Sequence, residues 1–169
     1  RGDNDLDLLT KLSEDGKEVF KINMTTFDPY STHIPALALA AHTFGHRILE
    51  IGCGWYSTPL LHTMSSEVIT LENNPDWAEK FKAIAGDKLR VVSDIVAAAN
   101  SGTPCHWDVV FIDCEPVPLR APILEMFINK HCCIVAHDTE AEPYPDLLKK
   151  VKFQRHFDFL MPRTSFLSN

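Results

Sequence analysis

Ile48-Leu49-Glu50-Ile51-Gly52-Cys53-Gly54-Trp55-Tyr56-Ser57-Thr58 is an apolar run that breaks at two glycines and then turns helix-compatible. A strand entering a glycine turn that opens a helix is the first unit of an open α/β sheet. The carboxyl end of such a strand borders the crevice where these sheets bind ligands, so this turn is where a cofactor is expected. Gly52 and Gly54 permit positive φ and close backbone approach.

Outward from this unit the pattern repeats. Strand-like runs rich in Val, Ile and Leu occur at Arg47 to Ile51, Glu67 to Leu71, Leu89 to Val92, Asp108 to Ile112 and Cys132 to Ala136. Helix-compatible stretches alternate with them at Thr58 to Met64, Pro75 to Ala85, Ser93 to Asn100 and Leu119 to Asn129. Apolar strands alternating with amphipathic helices predict a parallel sheet covered on both faces. After a short helix near Tyr144 to Lys150, Phe153 to Phe159 and Thr164 to Ser168 read as two strands joined by Met161-Pro162-Arg163, a connection that suits an antiparallel edge pair. The expected fold is α/β: a doubly wound, mostly parallel seven-stranded sheet with an antiparallel terminal pair, in a three-layer αβα sandwich.

With 169 residues, 45% of them hydrophobic, the chain fits one domain with a sizeable core. Residues 1–30 are polar and mixed, with a short helix expected around Leu6 to Leu12, and read as an amino-terminal extension or lid. Residues 31–169 read as the single domain. Ser31 or Thr32 is expected to cap an Ala-rich helix that has Pro35 in its first turn. The formal charge of −7 repels polyanions, so nucleic acid is disfavoured as a partner and a small molecule favoured. No apolar run approaches the roughly 18 to 20 residues of a membrane span. Five cysteines in no metal or disulfide spacing predict reduced thiols and a cytoplasmic setting.

Val68-Ile69-Thr70-Leu71 ends in Glu72, about 20 residues after the glycines, where a carboxylate at the second strand tip can accept both hydroxyls of a ribose. An acid there favours free ribose hydroxyls over a 2′-phosphate.

These residues together resemble the class I S-adenosylmethionine-dependent methyltransferases, over Thr32 to Asn169. Glu50-x-Gly52-x-Gly54 resembles the family's first motif, in which the acid and glycines hold the methionine end of the cofactor, with Ser57 at the start of the next helix. Glu72 and Asn73 fall on the ribose position, and Ser93-Asp94 where the adenine is held. Asp113, closing Trp107-Asp108-Val109-Val110-Phe111-Ile112, matches the fourth-strand motif beside the amino acid moiety and the substrate. Tyr56 stands where the family has a third glycine. The resemblance implies the cofactor S-adenosyl-L-methionine and an in-line methyl transfer in which positioning supplies most of the rate.

Asp113 and Asp138 follow neighbouring strands, so both should reach one crevice, where their oxygens suit Mg²⁺ or another hard divalent ion. Here the chain resembles the catechol-type O-methyltransferases, which implies a metal on Asp113, Asp138 and Thr139, with Thr139 standing where the family has Asn and Pro116 where it has a catalytic Lys. An oxygen acceptor is accordingly favoured. His137 adjoins this site and is a candidate general base, so Asp113, His137 and Asp138 form the expected catalytic set. His33 falls in a region that lids the cofactor in the family. Substrate choice should lie in Asn23 to His33, Cys114 to Ala121 and Thr139 to Pro145, whose Phe27, Tyr30, Glu115, Pro118, Glu140 and Glu142 form an aromatic and acidic rim. Asp28-Pro29-Tyr30 is an incomplete version of the base-methylating signature and carries no base-flipping expectation. The alternatives are a silent S-adenosylmethionine-binding or scaffold module and, less favoured, an NAD-dependent oxidoreductase.

Overall fold

The computed structural model describes residues 29–101, 106–142, 144–158 and 161–169. The helix expected around Leu6 to Leu12, the rim residue Phe27, Asp28, Cys105 and the last residue of the sixth expected strand, Phe159, lie outside these residues.

Seven strands form one sheet: β1 (Arg47–Ile51), β2 (Glu67–Glu72), β3 (Leu89–Val91), β4 (Val109–Ile112), β5 (Cys133–Ala136), β6 (Phe153–Phe157) and β7 (Thr164–Ser168). Their spatial order is β3-β2-β1-β4-β5-β7-β6. The first five pair in parallel, and β7 runs antiparallel to both β5 and β6, as the alternation and the short final connection predict. The order reverses at β1, so the crevice lies above β1 and β4.

The helices are α1 (Ile34–Phe44), α2 (Ser57–Met64), α3 (Pro75–Glu79), α4 (Lys82–Ala85), α5 (Ile95–Ser101), α6 (Arg120–Phe127) and α7 (Tyr144–Leu148). Strand residues alternate between two cores. Leu49, Ile51, Val110, Ile112 and Ile134 pack against α5, α6 and α7 through Ile95, Leu124 and Leu147. Ile48, Val68, Val109, Phe111 and Val135 pack against α1 and α2 through Leu37, Ala40 and Leu61. This alternation also aims the polar residues at the strand ends. Phe111 pairs with Val135 across β4 and β5, so Asp113 and His137, two residues further along each strand, emerge side by side on the α1 face.

Two local expectations change. The cap of α1 is His33, with no side-chain hydrogen bond, because the Thr32 hydroxyl is used elsewhere: it donates to the carbonyl of Pro162 at 2.7 Å. The single helix expected over Pro75 to Ala85 is split in two. At Lys80 and Phe81 the amides turn to the i−3 carbonyls of Trp77 and Ala78, at 3.1 and 2.9 Å, and the tightened turn sends the Phe81 ring into contact with Trp55 and Trp77. Among the described residues no helix is long and apolar enough to cross a membrane, and Cys53, Cys114, Cys132 and Cys133 are free thiols.

Candidate active site

The glycine turn is held from three sides. Gly52 has φ of 92°, and a Cβ there would lie 2.6 Å from the backbone oxygen of Asp113, so only glycine lets the β1 turn close onto the β4 tip. Its amide donates to Leu71 O on the other side, at 2.9 Å. Glu50 supports the turn from behind. It is fully buried and accepts from Thr58 Oγ1 at 3.0 Å and Thr70 Oγ1 at 2.7 Å, while Thr58 Oγ1 accepts the Gly54 amide at 3.0 Å. Burial raises the Glu50 carboxyl to about 7, against the opposing hydrogen bonds of Ser57, Thr70 and Thr58. Glu50 and Thr58 thus fix the turn from beneath.

Glu72 caps the far side of the turn. Its Oε2 accepts from the Cys53 amide at 3.0 Å and the Cys53 thiol at 3.3 Å, and its Oε1 from the amides of Asn73 and Asn74 at 2.9 and 2.8 Å. Four donors occupy the four lone pairs of the carboxylate. A ribose hydroxyl reaching Glu72 would have to take the place of the thiol, the weakest of these donors. Asn73 reaches across to Glu115 O at 3.0 Å. Asp94 accepts the Ala97 amide at 2.9 Å and so caps α5, next to Ser93 at the exposed end of β3.

A cavity of about 660 Å³ opens beside the turn. Cys53, Gly54, Trp55, Tyr56 and Trp77 form one wall, with Trp77 Nε1 donating to Cys53 O at 2.7 Å. His33, Asp113, Arg120, His137 and Asp138 form the polar end, and Pro29, Tyr30, Glu115 and Pro162 complete the lining. Of the residues singled out in the sequence, Tyr30, His33, Gly54, Tyr56, Asp113, Glu115, His137 and Asp138 converge here. Glu50, Gly52, Ser57, Glu72, Asn73, Ser93, Asp94 and Thr139 lie outside the lining.

Arg120, the first residue of α6, was not legible as a site residue, although a cation in the first turn of a helix, at the wrong end of the helix dipole, is a signal. Its side chain is 2% exposed and spans the two acids: Nη1 lies 2.7 Å from Asp138 Oδ2, Nη2 lies 3.1 Å from Asp113 Oδ1, and Nε donates to Cys114 O at 2.7 Å.

His137 meets the same two acids from the other side. The single Thr32 hydroxyl proton is directed at the carbonyls of Pro162 and Pro29, at 2.7 and 3.2 Å, so at 2.9 Å from His137 Nε2 the Thr32 oxygen can only accept. Nε2 therefore carries a proton. Nδ1 faces Asp113 Oδ1 at 3.3 Å and Asp138 Oδ1 at 3.6 Å. Burial works against the imidazolium, but the Asp113 hydrogen bond and the charges of Asp113 and Asp138 outweigh it and raise the His137 pKa. For Asp113, burial opposes ionisation, and the hydrogen bond and charge of His137, with the charges of His33 and Arg120, still hold its carboxyl below the ordinary range. Arg120 Nη2 also lies 3.3 Å from Glu115 Oε1, so three carboxylates meet one guanidinium, and His137, the expected general base, is hydrogen-bonded through both ring nitrogens.

The hard-cation site expected on Asp113, Asp138 and Thr139 does not fit these residues. The Arg120 guanidinium fills the space between the two carboxylates. Thr139 turns away from them: Asp138 adopts φ of 56°, and the Thr139 hydroxyl is buried 2.7 Å from Ser165 Oγ and 3.1 Å from the Arg163 Nε that donates to it. A left-handed residue at the strand end breaks the alternation from which a shared direction would follow.

No family model matches the sequence, and no curated protein matches it as a relative. Solved structures do match. The chain superposes on a candidate caffeoyl-CoA O-methyltransferase from Staphylococcus aureus with a TM-score of 0.63 at 14% identity, covering 95% of this chain and 97% of that one. An O-methyltransferase from Bacillus cereus, in complex with SAH, matches with a TM-score of 0.60 at 17% identity, covering 94% of each chain. An rRNA methylase from Streptococcus thermophilus matches with a TM-score of 0.54 at 10% identity, covering 83% of this chain and 95% of that one. At these identities the likeness is one of fold: the chain has the Rossmann-like αβα fold of the class I methyltransferases.

Proposed function

We propose that the chain is an S-adenosylmethionine-dependent methyltransferase acting on a small-molecule acceptor. The observation that carries this reading is the Gly52–Gly54 turn, locked against the β4 tip and opening as one wall of a cavity whose opposite end is charged. Gly54 and Asp113 would hold the methionine end of the cofactor, Glu72 and Asn73 its ribose, and Ser93 and Asp94 its adenine. Gly52, Glu50 and Ser57 position the turn. The bound cofactor supplies a methyl group already activated by its sulfonium, so no protein nucleophile is needed.

What the chain's own residues do is orient and exclude water. The Trp55, Trp77 and Phe81 rings, in mutual contact at 4.9 to 6.0 Å between centroids, back the turn on its outer side. Asp113 and Asp138 are held in place by Arg120 and His137, a fixed set of dipoles and charges beside the reacting end of the cavity. The net charge of −7 favours a small acceptor over a polyanion such as RNA.

Calorimetric titration with S-adenosylmethionine and S-adenosylhomocysteine tests the reading. Binding of both is expected, weakened tenfold or more in Gly54→Val. Absence of binding by either at millimolar concentration would overturn it.

A further inference from the structure

We propose that His33, His137 and Asp113 form a binding site for one divalent transition-metal ion of borderline softness, of the Zn²⁺ or Fe²⁺ type. Each residue offers one ligand atom, and the three atoms lie within 4.8 Å of one another. The best-defined pair, His137 Nδ1 and Asp113 Oδ1, is separated by 3.3 Å. Two ligands each about 2.1 Å from one tetrahedral ion are about 3.4 Å apart, so this pair already has the spacing of shared ligation.

His33 is the second, independent observation. It lines the cavity and is 3% exposed, yet neither ring nitrogen has a hydrogen-bond partner among the described residues. A buried polar group without a partner is costly, and its persistence marks a missing ligand. The ring is fixed by packing alone, 5.1 Å from Phe111 and 4.9 Å from His137 between centroids.

His137 carries the outer hydrogen bond that a metal-bound imidazole requires. Its Nε2–H donates to Thr32 Oγ1, and Thr32 donates onward to Pro162 O, so Nδ1 is the nitrogen left to face the cluster. On binding, the Nδ1 proton leaves to solvent and the ion takes its place between imidazole and carboxylate, with no electron transfer. Arg120 keeps its contact with Asp113 and orients that carboxylate. Three protein ligands leave a position for water or an acceptor oxygen, as in a catalytic rather than a structural site. Two imidazoles in the set select against Mg²⁺ and Ca²⁺, so this site differs in residues and in metal class from the all-oxygen one that Arg120 excludes. It does not depend on the methyltransferase reading.

The test uses untagged, chelator-treated protein titrated with Co²⁺, read by visible d–d absorption, and with Zn²⁺ in competition. One ion per chain is expected, displaced by Zn²⁺ and not by Mg²⁺. Affinity should fall at least tenfold in both His33→Ala and His33→Leu and stay unchanged in His42→Ala, a residue on the exposed side of α1. X-ray absorption of the Zn²⁺-loaded wild type, which needs no variant, should show two imidazoles and no sulfur. No absorption in the wild type, wild-type affinity in both His33 variants, loss in His42→Ala, or a sulfur shell would each overturn the proposal. Titration with S-adenosylhomocysteine, run separately, distinguishes the two readings: metal binding without it leaves this site standing and removes the methyltransferase.

Discussion

Arg120 donates from Nη1 to Asp138 Oδ2 at 2.7 Å, across the space between the tips of two neighbouring strands. The same guanidinium reaches Asp113 at 3.1 Å, so one buried cation, carried by the helix that connects β4 to β5, serves both acids. The position that two converging carboxylates mark out for a hard cation is thereby filled by the protein itself.

Removing that cation should be expensive. Arg120→Met leaves Asp113 and Asp138 without their shared partner, and breaking a buried pair in this way costs about 3 kcal/mol or more, the lower end applying because both acids keep partial access to water. Denaturant unfolding should show the loss, and Arg120→Met combined with Asp138→Asn should recover part of it. Simple additivity of the two changes would show that the pair is not coupled.

Glu50 should govern part of the pH dependence. An ordinary glutamate ionises near 4.5, whereas Glu50 in the folded chain ionises near 7, so between these values the folded state holds a proton that the unfolded state has lost. Stability from this group therefore falls as pH rises through that window. His33, lowered to about 4, acts in the opposite sense between 4 and the ordinary imidazole value of 6.5, its contribution being lost as pH falls. The clean measurement is a difference: the melting temperature of Glu50→Gln minus that of the wild type should grow from pH 4.5 to 7 and level off above. A constant difference would remove the buried acid from the account.

Two of the three glycines with positive φ among the described residues, Gly52 and Gly86, should behave differently. Gly86→Ala meets nothing within 4 Å, but φ of 58° with ψ of −131° is a sparsely populated backbone region for a side-chain-bearing residue, a cost of roughly 1 to 3 kcal/mol. Gly52→Ala adds a backbone collision at 2.6 Å with Asp113 and Cys114, so the turn must move. S-adenosylhomocysteine affinity should be lost in Gly52→Ala and retained in Gly86→Ala; equal affinity in the two would detach the turn from the cofactor.

Thr139→Val tests the direction of the fifth-strand loop. The substitution removes the buried contact with Ser165 Oγ at 2.7 Å, which keeps His156 Nδ1 at 2.6 Å, and takes from Arg163 Nε its acceptor at 3.1 Å, a cost of about 1 to 3 kcal/mol seen in thermal unfolding. Cofactor affinity should not change, because the hydroxyl faces β7 and not the cavity. A variant of normal stability with weakened cofactor binding would reverse that assignment.

The sequence by itself determined the sheet and its order of elements. Strand and helix periods are local properties, and runs such as Val109 to Ile112 and Cys133 to Ala136 can be read without knowing what they touch. The glycine turn was legible for the same reason, since Gly52 and Gly54 announce a backbone need. Tertiary structure alone decided which polar groups meet. Arg120 and Asp138 are 18 residues apart, and Thr32 and His137 are 105 apart, and no local pattern encodes such pairs. It also decided charge and direction. Thr139 turned away because a single left-handed residue, Asp138, breaks the period of two, and Glu50 and Glu72 differ in role because one meets hydroxyls in the core and the other a row of amides at the strand tip. Alternation is fixed by chain geometry; partnership is fixed by packing across distant segments, and at this site partnership sets the chemistry.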